Sequence, residues 1–144
     1  MMRDRPATCP MCGAPSVRAG RARTMIAFDV PKLGRGTTVA ELPVVSCRRC
    51  VFDAEGDGSQ AARAAAVAKA LGILSSAEIR SARAGRGWSR RELAERTGIG
   101  TASIFRWETG RVFQSRSNDR LLRLALGLPM PASARRGSRG GRAA

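Results

Sequence analysis

Histidine and tyrosine are missing from these 144 residues, and aromatics make up only 4% of them. Without histidine the chain lacks the side chain most often used as a general base near neutral pH. The acidic residues Asp29, Asp53, Glu55 and Asp57 form no paired constellation, and the last three fall in one linker-like stretch. Neither a phosphate-cradling loop nor a nucleophile motif occurs, so the chain is not expected to be an enzyme. Lysine is nearly absent too, with only Lys32 and Lys69. No run approaches the ~18 consecutive apolar residues of a membrane span. The opening MMRDRPATCP has no apolar h-region, so no secretory signal is expected. A cytoplasmic protein with reduced thiols is the expectation. Large apolar residues are scarce as well, because much of the 43% hydrophobic share is alanine. A core that small usually needs a metal, disulfides or a partner subunit.

What the chain has in excess is positive charge: 26 basic residues against 11 acidic ones, a formal net charge of +15. If four cysteines bind one Zn²⁺ as thiolates, four negative and two positive charges lower this by two, to +13. A genome rich in G and C explains arginine in place of lysine, but not the surplus itself. A polyanion such as DNA or RNA is the expected partner.

Four segments emerge. Residues 1–56 hold all four cysteines and read as strands and turns. Ile26, Phe28 and Val30 alternate with smaller or polar neighbours in a strand over Arg23–Val30. Gly34–Gly36 is the expected turn. A second strand follows over Thr37–Ser46, with Val39, Leu42, Val44 and Val45, and Pro43 argues for an edge position. Residues 57–73 are a linker and a spacer helix over Ala61–Leu71; DAEGDGSQ (53–60) is acidic and Gly-rich. Residues 74–128 form a helical domain. The tail, 129–144, carries four arginines among Ala, Gly and Ser and is expected to be disordered. The fold class expected is α+β, a small β-rich four-cysteine domain followed by an all-α domain.

Cys9-Pro-Met-Cys12-Gly13 and Cys47-Arg-Arg-Cys50 are two CxxC pairs. Two intervening residues let both sulfurs of a pair reach one tetrahedral metal, and Gly13 permits close backbone approach. Two pairs complete a closed, structural four-cysteine zinc site with no open position for water or substrate. An iron–sulfur cluster also suits four thiolates. A redox CxxC lacks its βαβ context here, and disulfides conflict with the expected compartment.

In the helical segment Ser75 with Glu78, and Ser89 with Glu92, form two capping boxes, with staples Leu74/Ile79 and Trp88/Leu93. A third helix runs from about Thr101 to Glu108, ended by Gly110. A fourth spans about Ser117–Leu126, with Leu121, Leu122, Leu124 and Ala125 as its buried face. Ala94 lets two helices cross closely, Gly98 supplies the turn and Ile99 plugs the gap. Ile104 and Trp107, three apart, prop the third helix. Thr101, Ala102, Phe105 and Arg106 are left facing outward, where a recognition helix meets the major groove. Arg106 suits a guanine, Thr101 a base edge and Ala102 a thymine methyl. Ser89, Arg90, Arg91 and Ser103 are candidates for phosphate, as are Arg111, Gln114 and Arg116 in the loop that follows.

The segment Leu74–Gly110 resembles the Cro/phage-repressor (XRE) helix-turn-helix family through Ser-Arg-Arg-Glu-Leu-Ala and Ile-Phe-Arg-Trp-Glu-Thr-Gly. The resemblance implies a lambda-repressor-like fold, base contacts from Thr101, Ala102 and Arg106, and a pair between Glu108 and Arg83. The wider arrangement, CxxC…CxxC, helical linker, then this domain with Gln-Ser-Arg-Ser-Asn-Asp (114–119), resembles the MqsA/YgiT-type antitoxins of toxin–antitoxin systems. That likeness implies a homodimer through the C-terminal domain, a palindromic operator in the chain's own promoter, and a ribonuclease-type toxin as partner. The second knuckle departs from the pattern by lacking a glycine after Cys50, Ala102 replaces a base-reading asparagine, and Phe105 is apolar on an exposed face. The alternatives are a stand-alone XRE-family regulator with a structural or sensing zinc domain, and a zinc-ribbon RNA-binding protein.

Overall fold

A computed structural model describes residues 8–131. The strands are β1 (Val17–Val30), β2 (Gly34–Cys47) and β3 (Asp53–Glu55). The helices are α1 (Ser59–Leu71), α2 (Ser76–Gly85), α3 (Arg90–Thr97), α4 (Thr101–Glu108) and α5 (Arg116–Leu126). The chain is α+β. It divides into two compact units: described residues through Ala27 with Thr37–Ala66, and Phe28–Gly36 with Val67 onward. The hairpin tip thus groups with the helices rather than with the cysteines, unlike the contiguous 1–56 domain expected. Residues 132–144, most of the expected disordered tail, lie outside the described residues.

The sheet has the order β1-β2-β3. Period-2 alternation sets its buried face: Ile26 and Leu42 are buried, with Phe28 and Val30 partly so. The same alternation turns Thr38 and Ala40 inward and leaves Val39 exposed. Pro43 lies in the central strand, not an edge one. It is tolerated because β3 pairs only with Val44–Ser46, so this stretch of β2 still resembles an edge. The acidic stretch expected to be linker supplies β3 and its own ion pair, Arg63 with Glu55.

The turn falls at Val30-Pro31-Lys32-Leu33, ahead of the glycines. Leu33 N–H donates to Val30 O at 3.0 Å, Pro31 fixes the first corner, and Lys32 takes φ 66° at the second. That is the type II pattern, which usually places glycine where Lys32 stands. The glycines serve close approach instead. A Cβ on Gly36 would lie 3.3 Å from the Phe28 ring, and one on Gly34 3.3 Å from a Leu71 methyl.

The helical unit is organised around Leu74, Ile79, Leu93, Ile104, Trp107, Leu122 and Leu126. Both capping boxes form as their sequences require. Each satisfies two backbone donors at a helix start and fixes the direction in which the chain enters. Gly98 ends α3 and Gly127 ends α5, both left-handed. Helix α5 corrects the expected face: Leu122 and Leu126 are buried and Ala125 is half-buried, whereas Leu121 and Leu124 are exposed. At 3.6 residues per turn Asp119, Leu122 and Leu126 share one side, and Leu121 and Leu124 fall on the other.

Candidate nucleic-acid interface and metal centre

The first knuckle is closed by Gly13 N–H to Cys9 O at 2.8 Å and Cys9 N–H to Ala14 O at 2.9 Å. Gly13, at φ 73°, takes the left-handed conformation this closure needs. The second knuckle closes by Cys47 N–H to Phe52 O at 2.9 Å. It uses no left-handed residue, since among the described residues other than glycine only Lys32 has positive φ. The glycine absent after Cys50 is therefore not required.

The four Sγ atoms lie within 4.8 Å of one another, and none is in a disulfide. Cys9 Sγ is 3.6 Å from Cys50 Sγ, and Cys12 Sγ 3.7 Å from Cys47 Sγ, each contact joining one knuckle to the other. Four Zn–S bonds of ~2.3 Å at tetrahedral angles would separate sulfurs by about 3.8 Å. The donor set and its spacing fit a metal ion held by all four thiolates. Ser16 Oγ (3.1 Å) and Arg49 N–H (3.3 Å) contact Cys47 Sγ. The Ser16 hydroxyl and then the Arg49 N–H lower the Cys47 thiol to about 6. For Cys50 the Phe52 N–H pulls down, but burial and the neighbouring thiols outweigh it and hold the group at about 12. A bound dication would remove that imbalance by favouring all four thiolates. Ser16 was not legible as part of the site, since nothing in its neighbourhood distinguishes it from a surface serine.

In the helical unit α4 has two distinct faces. Ile104, Trp107 and Glu108 are buried, while Thr101, Ala102, Phe105 and Arg106 are exposed. The buried Glu108 carboxylate binds Arg83 Nη2 at 3.0 Å and Arg90 Nε at 2.7 Å, and Arg83 Nε completes a two-pronged contact. Burial alone would raise this carboxyl. The hydrogen bonds from Arg83 and then Arg90 prevail and hold it below 4.5. Arg83 also donates to Trp88 O at 2.7 Å, so one guanidinium ties α2, the α2–α3 loop and α4 together.

Several phosphate candidates are placed otherwise. Gln114 is buried, and its Nε2 donates to Leu74 O (2.8 Å) and Asp119 Oδ1 (3.0 Å); it holds the fold and has no access to DNA. Asp119 also accepts from Leu74 N–H at 2.8 Å and Arg123 Nε at 2.8 Å, a buried cluster that sequence reasoning missed. Arg116 directs Nη1 to Leu71 O and Nη2 to Leu33 O, each at 2.8 Å, so its fork is engaged by protein carbonyls. Arg90 is committed to Glu108. Ser89 has its oxygen and N–H engaged by the capping box, which also sets the Glu92 carboxylate at that helix end. The Ser89 N–H and then its hydroxyl keep Glu92 ionised, which disfavours a phosphate there. Arg91 is exposed and makes only a surface pair with Glu95 at 3.1 Å, a contact of little energy. Ser103 is half-buried in the first turn of α4, and Arg111 is exposed. Gly100 caps α4 without a side-chain bond, leaving the first N–H groups of that helix uncapped by any side chain.

Residues 79–128, about a third of the chain, match the family model described as Helix-turn-helix. No curated protein and no solved structure matches the chain. The matched segment runs from α2 through α5 and supports a DNA-binding helix-turn-helix of the XRE type in this unit. Among the described residues no helix is long and apolar enough to cross a membrane.

Proposed function

We propose that this chain is a sequence-specific DNA-binding antitoxin that represses its own operon as a homodimer and neutralises a ribonuclease-type toxin. In this reading α4 enters the major groove, where Arg106 pairs with a guanine while Thr101 and Ala102 meet neighbouring base edges. The observation that carries it is the division of α4: every reader is exposed, and the Ile104–Trp107–Glu108 props are buried. Arg91, Ser103 and Arg111 form the remaining phosphate set, and the net charge of +15 adds long-range attraction. Exposed Leu121 and Leu124 on α5 supply apolar surface suited to a second copy. A twofold dimer calls for a palindromic operator.

Cys9, Cys12, Cys47 and Cys50 would hold one structural Zn²⁺. The ion supplies cross-linking between the two knuckles, which a unit with so few buried large side chains otherwise lacks. The antitoxin role is supported by the order of a four-cysteine unit followed by this helix-turn-helix, the arrangement resembling the MqsA/YgiT type.

Two measurements test the reading. Arg106→Ala should weaken binding to the operator by about 1–3 kcal/mol and scrambled duplex far less; equal losses on both would remove its base-reading role. Affinity purification from the native host should recover a small ribonuclease-like protein encoded beside this gene. Operator DNA recovered without such a protein would instead leave a stand-alone regulator.

A further inference from the structure

Phe105 stands on the exposed face of α4, 40% accessible, where it forms one patch with the methyl-bearing side chains of Thr101 and Ala102. Residues four and three apart on a helix are neighbours. Two guanidinium groups bracket its ring: Arg90 at 5.1 Å and Arg111 at 5.9 Å from the centroid. Arg90 is itself fixed by Glu108 at 2.7 Å, so the ring rests beside a guanidinium held by a buried anchor while the residue stays exposed. Arg111 has no carboxylate partner among the described residues.

A phenyl edge offers no donor or acceptor to a base. In the major groove the apolar group that base pairs present is the thymine 5-methyl. We infer that Phe105 is a specificity-determining residue that packs on a thymine 5-methyl beside the base pair contacted by Arg106, while Arg111 lies toward a flanking phosphate and Arg90 stays on Glu108. This rests on the DNA-reading role proposed above for α4. It makes the ring part of sequence readout rather than surface packing.

The test begins with selection of a preferred duplex from a random library, using the full-length zinc-loaded chain. Each thymine of that duplex is then replaced singly by deoxyuridine, which removes one methyl and leaves pairing intact. One position per half-site should weaken binding roughly four-fold, corresponding to the ~0.8 kcal/mol of one buried carbon. In Phe105→Ala that sensitivity should vanish, and Phe105→Leu should restore part of it. Unaltered circular dichroism and melting of both variants exclude a folding effect, as expected for an exposed side chain. If no thymine is sensitive, or if the sensitivity persists in Phe105→Ala, the inference is overturned even though the domain reads DNA. If selection enriches no sequence, the DNA-reading role fails first and this inference with it.

Discussion

The two units achieve order by different means. In the helical unit Ile79, Leu93, Ile104 and Leu122 are fully buried, and Leu74, Trp107 and Leu126 pack with them. Each such side chain contributes about 1.5–3 kcal/mol. In the cysteine unit the buried large apolar residues are Ile26 and Leu42, joined by Ala14 and two of the four cysteines. A three-stranded sheet with so few apolar anchors is marginal by itself. Apolar burial therefore carries one unit, whereas the other depends on the metal proposed for its four cysteines.

The sharpest way to break that contrast is to remove the proposed metal. Chelation, or Cys12→Ser, should abolish the amide protection of β1–β3 while α2–α5 keep theirs, because structural zinc contributes on the order of 10 kcal/mol. Hydrogen exchange checks this, and equal loss in both units would show that they do not differ as argued. Next in size is Glu108→Ala, which leaves Arg83 without its buried partner and should cost the helical unit about 3–5 kcal/mol. Thermal melting followed by helical ellipticity reads it.

Acid should also separate the units. Because the hydrogen bonds from Arg83 and Arg90 hold the Glu108 carboxyl below the usual carboxylate range despite its burial, its stabilisation is complete above that range and is lost as pH falls through the depressed value. Helical-unit stability should therefore decline below about pH 4.5, and Glu108→Gln should flatten the decline. The smallest expected effect is at the hairpin tip. Lys32→Gly relieves a left-handed lysine and should stabilise by up to ~1 kcal/mol, measured by denaturant midpoint.

Local devices were legible in the sequence, and distant ones were not. Ser75 with Glu78 and Ser89 with Glu92 specify helix starts within four residues, so both boxes could be anticipated and both form. The CxxC spacing likewise brings its sulfurs together. Gln114 and Asp119 reach partners on Leu74, forty and more residues away, and nothing near them in sequence announces burial. The α5 leucines misled because four apolar residues in five positions cannot share one side of a helix, and the phase that wins is set by what Leu122 and Leu126 meet. The turn at Lys32 misled because glycine is the usual signal for left-handed backbone, and here Pro31 imposes the geometry first.

The period of α4 has a consequence for how such a protein diversifies. Thr101, Ala102 and Arg106 are exposed and make no side-chain hydrogen bond or ion pair among the described residues, so in the proposed reading exchanging them would redirect the regulator to a new site at little cost in stability. Position 105 is different. Its ring lies beside Arg90, which is held by the carboxylate that joins three helices, so a new residue there changes that arginine's surroundings along with the readout. Libraries built for orthogonal operators should vary the first three positions freely and leave that fourth one for last.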